Sequence, residues 1–203
     1  HNRARMIVAS YLVKDLLNYS KERNPEYESI DPNQLAEEVC NLFDIKAKGK
    51  GISILRDYDP NLGKGIQIFL DHRGIHTCLS NLVSNAIDAC EADSGKTEHK
   101  IMVRTSEDPD GGMVFEVSDD GMGMTDETKR KLFSSFYSTK GSRGTGLGLL
   151  VTSKIVSEHA GQMFFDSELG VGSHFIIKLP ARSSNQIHAD KKVFGSEGLN
   201  PAG

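Results

Sequence analysis

Apolar residues recur at helical spacing from the start of the chain. Ala4, Val8, Leu12 and Leu16 fall on one line with Ile7, Tyr11 and Val13 beside it, so residues 3–20 are expected to form a helix with a wide apolar face. Such a face packs on the helix's own domain or against a second helix in a hairpin or dimer, and the pattern leaves both open. Asn24-Pro25 should end this run, because the residue before proline disfavours the α region. Asp31-Pro32 reads as an N-cap followed by proline at the first helical position, with Leu35, Val39, Leu42 and Phe43 on the apolar face.

Beyond a turn at 48–51, residues 52–54 and 66–70 read as strands and 71–90 as a helix. Residues 100–105 and 113–117 read as strands joined by the turn-forming run Asp108-Pro109-Asp110-Gly111-Gly112. A short helix is expected over 126–133, a mobile Ser-, Thr- and Gly-rich loop over 134–146, and a helix over 147–159 with Gly161 as its C′ residue. Strands at 162–166 and 173–179, turned at Gly170-Val171-Gly172, close the pattern, and 181–203 reads as a disordered tail or linker. This order predicts an α+β fold: a two-layer α/β sandwich, a mixed sheet with helices on one face, preceded by a single long helix.

Composition narrows the function. The chain has 203 residues, room for one domain with extensions. Its net charge of −4 lacks the basic excess of a nucleic-acid binder, and no nucleic-acid partner is expected. No run approaches the ~18 apolar residues of a membrane-spanning helix. Cys40, Cys78 and Cys90 have no metal-ligand spacing and fit free thiols in a reducing compartment. The chain begins at His1 without a secretory leader and is read as a piece of a longer protein.

Three segments carry candidate chemistry. On the helix over 71–90, Asn81, Asn85 and Asp88 lie at i, i+4 and i+7, away from the apolar face of Ile75, Leu79, Leu82, Ala86 and Ala89. They form either a solvated polar stripe or a row of oxygens facing an ion or phosphate, since a carboxamide oxygen ligates Mg²⁺ without adding charge. At the end of a strand, Asp119-Asp120-Gly121-Met122-Gly123 pairs a carboxylate with glycines that let the backbone approach a flat ligand. Alone this pattern is weak and is more often an ordinary turn. Gly144-Thr145-Gly146-Leu147-Gly148-Leu149 opens a helix, where backbone N–H groups favour anions, with Lys140 and Arg143 on the loop before it. The spacing is neither that of a P-loop nor that of a dinucleotide-binding fingerprint.

Together and in this order the segments resemble the nucleotide-binding domain of the GHKL superfamily, and within it the sensor histidine kinases. Asn81-Leu82-Val83-Ser84-Asn85-Ala86 resembles the N box and Asp119 to Gly123 the G1 box. Residues 133–140 resemble the F box, 144–149 the G2 box, and Gly170-Val171-Gly172-Ser173 with Phe175 the last glycine motif. The resemblance covers roughly residues 31–180. It implies the Bergerat ATP-binding fold over 30–180, with 1–29 as the second helix of a dimerisation and phosphoacceptor hairpin.

It further implies ATP and Mg²⁺ as cofactors. Asn85 matches the Mg²⁺ ligand, Asn81 lines the phosphates, and Asp119 reads the adenine amine above a turn at Gly121 and Gly123. Thr139, Lys140, Gly144, Thr145, Gly146, Leu147, Gly148 and Ser173 complete the nucleotide contacts. Asn81, Lys140 and Arg143 are the candidate catalytic residues. The implied partners are a phosphoacceptor His helix of the same or partner protomer, a second copy in a homodimeric full-length protein, and a response-regulator receiver domain. The domain is expected in the cytoplasm, with membrane anchoring of the full-length protein open. No His here is followed closely by an acidic residue and Pro, the acceptor context, so the acceptor is expected outside this chain. Hydrolysing relatives carry a Glu one turn before the Mg²⁺-binding Asn. Here that position is Asn81, and an amide is no base. A GHKL ATPase and a non-catalytic nucleotide-binding module are the competing readings.

Overall fold

The computed structural model describes residues 6–7, 25–62, 68–132 and 148–180. The strands are β1 (Met6–Ile7), β2 (Tyr27–Ile30), β3 (Ile52–Tyr58), β4 (Ile68–Asp71), β5 (His99–Glu107), β6 (Gly112–Asp119), β7 (Gln162–Glu168) and β8 (Gly172–Pro180). The helices are α1 (Pro32–Lys48), α2 (His72–Ala92), α3 (Asp126–Lys131) and α4 (Gly148–Glu158). The main sheet has the order β1-β7-β8-β6-β5-β3 and is mixed: β3 runs parallel to β5 and every other pairing is antiparallel.

Burial alternates along each long strand. Ile52 and Ile54 of β3, Ile101 and Val103 of β5, Phe115 and Val117 of β6, Met163 and Phe165 of β7, and Phe175 and Ile177 of β8 are buried. Their neighbours on the other face are more exposed in β3, β5 and β7, which is the pattern of a sheet covered on one side. Helix α2 supplies the cover through Ile75, Leu79, Leu82, Val83 and Ile87, all buried. The expected α+β sandwich is therefore the observed one.

Local signals hold at the helix starts. Asp31 caps α1, its Oδ1 accepting from the N–H of Asn33 at 2.8 Å, with Pro32 at the first position. Asp71 caps α2 by accepting from Gly74 N–H at 3.2 Å.

Two expectations are corrected, one lies largely outside the described residues, and one strand was not anticipated. Residues 3–20 lie outside the described residues except Met6–Ile7, which form strand backbone paired antiparallel with Phe164 and Phe165 of β7. The edge of β7 offers a row of N–H and C=O groups with which these two residues pair. Leu42 is 62% exposed, because the small residues Ala36, Cys40 and Ala47 turn the buried stripe of α1 away from it. Gly161 is not the left-handed residue after α4; Ala160 is, at φ 54°. The bonds Gly161 N–H to Val156 O and Ala160 N–H to Ser157 O form a Schellman motif with Gly161 one position later. Glycine is still required there, since a Cβ would lie 2.6 Å from Lys178 O.

Finally, β2 was not anticipated. Its four residues show no alternation, and they are strand only through pairing with β4. Tyr27 Oη donates to Glu158 O at 2.9 Å, and the Asp71 N–H donates to buried His159 Nε2 at 3.1 Å, so this ribbon is tied to the end of α4.

Candidate functional site

Helix α2 carries the first half of the site. Its apolar face fixes its rotation, so Asn81, Asn85 and Asp88 are half-buried on another face. Asn81 Nδ2 donates to Gly148 O at 3.1 Å and to Thr152 Oγ1 at 3.3 Å. Thr152 Oγ1 in turn donates to Gly148 O at 2.9 Å. Asn81 thus ties the middle of α2 to the opening of α4 at Gly148. Sequence reasoning missed Thr152, a buried hydroxyl in an otherwise apolar stretch. A Cβ at Gly148 would make only ordinary contact with Asn81, at 3.5 Å or more, so the pairing rather than sterics defines this junction.

The second half lies at the carboxyl end of β6. Asp119 Oδ1 accepts from Gly121 N–H at 3.0 Å, and the Ser173 N–H bonds the same carboxylate. Loss of hydration there, reinforced by the neighbouring Asp120 charge, pushes the carboxyl up from its ordinary 3.8 to about 6 despite those bonds. A desolvated carboxylate at a strand end is a recurrent mark of a functional site.

Glycines bring backbone against backbone around it. A Cβ on Gly121 would lie 2.5 Å from the Ala89 carbonyl carbon, one on Gly123 (φ 63°) 1.9 Å from Glu168 O, and one on Gly172 (φ 133°) 2.0 Å from Asp119 O. Met122 N–H donates to Ala89 O at 3.1 Å, locking the turn to α2. Ser173 is buried, its hydroxyl 3.1 Å from that of Ser167, so it reaches the site through its backbone bond to Asp119.

Asp119, Gly121, Gly123 and Ser173 are therefore brought together, as are Asn81 and Gly148. Both groups border α2, Asn81 near its middle and Ala89 beside Gly121 near its end, separated by about 12 Å of helix at ~1.5 Å per residue. Asn85 lies between them, on the turn after Asn81. Thr139, Lys140, Arg143, Gly144, Thr145, Gly146 and Leu147, with the expected loop, lie outside the described residues.

Residues 70–183 match the family described as histidine kinase-, DNA gyrase B-, and HSP90-like ATPase. Sporulation kinase B of Bacillus subtilis is 32% identical over 181 residues, 89% of this chain and 39% of that protein. The chain thus spans well under half of that relative. Among solved structures, full-length ShkA in complex with AMPPNP superposes with a TM-score of 0.69 at 25% identity, covering 85% of this chain and 36% of that one. Histidine kinase ThkA in complex with the response regulator TrrA gives 0.64 at 30% identity, covering 84% and 46%.

Proposed function

This chain belongs to the histidine kinase-, DNA gyrase B- and HSP90-like ATPase family, and from that premise we propose that it transfers the γ-phosphoryl group of ATP to a His on a helix outside these residues. The nucleotide lies along α2. Asp119 accepts the exocyclic amine of adenine, Gly121 and Gly123 let the backbone pass close beneath the base, and the phosphates lie toward Asn81 and the opening of α4.

The donor set of Asn81 and Asn85 is neutral and half-buried, which fits a hard cation whose charge the phosphates balance. Asn85 would hold Mg²⁺, which supplies neutralisation of phosphate charge when bound. Lys140 and Arg143 would add positive charge from the loop.

The observation that carries the reading is Asn81. At the position where water activation would need a base, its amide donates to Gly148 O and Thr152 Oγ1. Imidazole is nucleophilic at neutral pH and needs no such base, only orientation and charge stabilisation. Its nitrogen forms the bond to γ-phosphorus as the bridging P–O bond breaks, and ADP leaves with the electron pair. The phosphoryl group passes next to an Asp of a response-regulator receiver domain. The acceptor helix belongs to the same or the partner protomer of a homodimer. A cytoplasmic setting agrees with Cys40, Cys78 and Cys90 forming no disulfide.

The test incubates γ-labelled ATP and Mg²⁺ with this chain, with and without the helical hairpin of the full-length protein. Acid-labile, base-stable label on the hairpin is expected. Steady phosphate release without labelled protein would mean hydrolysis instead.

A further inference from the structure

The three cysteines have no metal-ligand spacing in the sequence, yet one of them meets two other ligand types in space. Cys90 comes from the last turns of α2, His99 opens β5, and Asp120 follows β6. The Cys90 sulfur, one ring nitrogen of His99 and one carboxylate oxygen of Asp120 all lie within 4.8 Å of one another, the one such group among the described residues. Ligand atoms around a tetrahedral Zn²⁺, with Zn–S about 2.3 Å and Zn–N or Zn–O about 2.0–2.2 Å, sit roughly 3.3–3.8 Å apart. Side-chain adjustments on the order of 1 Å would therefore complete the triangle.

Three further features favour a cation here. His99 is buried at 4% exposure, so its ring is held out of water beside Cys90 and Asp120. Its Nδ1 lies 3.1 Å from Asp120 Oδ1, which also accepts the Lys100 N–H at 2.9 Å, so the imidazole and carboxylate are held in place. Burial above all, then the Asp119 and Asp120 charges with Lys96 opposing them, pushes the Cys90 thiol up to about 12, and those carboxylate charges favour a cation beside it.

We propose that Cys90, His99 and Asp120 form a binding site for a thiophilic divalent transition metal, with Zn²⁺ the fitting class. Thiolate plus imidazole selects zinc-like ions over Mg²⁺ or Ca²⁺, and half-exposed Asp120 leaves the fourth position to water. Cys90 gives up its thiol proton to solvent when the metal binds. Lys96 already faces this carboxylate, its Nζ 3.8 Å from Asp120 Oδ2 and donating to Asp120 O at 2.7 Å, and is the cation that the metal displaces from Oδ2. The site is separate from Asn81 and Asn85 and does not depend on how the nucleotide is used. It braces the junction of α2 with the turn at Gly121.

Co²⁺ titration of the metal-stripped 203-residue chain, followed by competition with Zn²⁺, tests this. The expected result is one equivalent of Co²⁺ with a thiolate-to-metal charge-transfer band, displaced by Zn²⁺. Cys90→Ala should abolish the band. Asp120→Asn, which keeps an oxygen for the Lys100 N–H, should weaken binding by more than the ~10–100-fold of an outer-sphere change. His72→Gln is the control, because His72 and His76 stack on α2 beside Glu38 and could take up metal at the surface. It should leave the band unchanged. Absence of a thiolate band in the unmodified chain overturns the proposal. So does Co²⁺ binding that survives Cys90→Ala and disappears in His72→Gln.

Discussion

The two halves of the site are built by different means. At the Asp119 end, backbone packs on backbone: Gly121 against Ala89, Gly123 against Glu168, Gly172 against Asp119. At the Asn81 end, side chains make the junction, through the amide of Asn81 and the hydroxyl of Thr152 on Gly148 O. A junction of backbones has no room for a Cβ and one geometry. A junction of side chains can be retuned by a single substitution. In the proposed reading, the end that reads the base is rigid, and the end that handles the phosphates is adjustable.

The sharpest way to break this contrast is a methyl group. Gly172→Ala or Gly123→Ala forces a Cβ to about 2 Å from a carbonyl oxygen and should cost at least about 3–5 kcal/mol in urea unfolding, with loss of nucleotide binding. Gly170→Ala, at φ 76° with nothing within 4 Å, should cost only the left-handed backbone penalty of about 1–2 kcal/mol. Equal costs would show that the close approaches do not define this end.

Asp119→Asn should separate function from stability. Losing a charge-assisted bond to adenine should weaken nucleotide affinity about 10–100-fold in calorimetry. Stability should move the other way. The folded pKa of about 6 lies above the ordinary 3.8, so the folded chain binds the proton more tightly. The carboxylate therefore destabilises the fold increasingly as pH rises from 3.8 to 6, and fully above that. Without nucleotide, Asn should stabilise the chain at neutral pH by on the order of 1–3 kcal/mol and have little effect at pH 3.5.

At the other end, Asn81→Ala removes two donated bonds and should cost about 1–2 kcal/mol of stability while slowing phosphoryl transfer. The smallest effect is expected away from both ends. Leu42→Ser, on the exposed side of α1, should change thermal stability by less than about 0.5 kcal/mol and nucleotide affinity not at all.

The sequence made the backbone-built end legible and left the other partly hidden. Glycines at 121, 123 and 172 beside a strand-end carboxylate are local signals, since a tight approach leaves a glycine in place. Asp31-Pro32 and the alternation of β5 and β6 are local too, and they predicted these elements within one to two residues. What was not legible depends on partners distant in sequence. Strand β2 exists through β4, and β1 through the edge of β7. Thr152 gains its role from Asn81, 71 positions earlier. Cys90, His99 and Asp120 come from three separate elements, so no spacing rule could group them. Leu42 failed because period alone does not say where small residues let a helix approach its sheet.

The most direct measurement of the central claim, that Asp119 is the carboxylate facing adenine, is adenosine binding by calorimetry at pH 5 and pH 8, in the unmodified chain and in Asp119→Asn. Adenosine has no phosphate to titrate in this window. The ionised carboxylate is the better acceptor, so affinity in the unmodified chain should fall as pH drops through about 6, and the Asp119→Asn chain should bind weakly at both pH values. Parallel pH profiles in the two chains, or unchanged affinity in Asp119→Asn, would contradict the assignment.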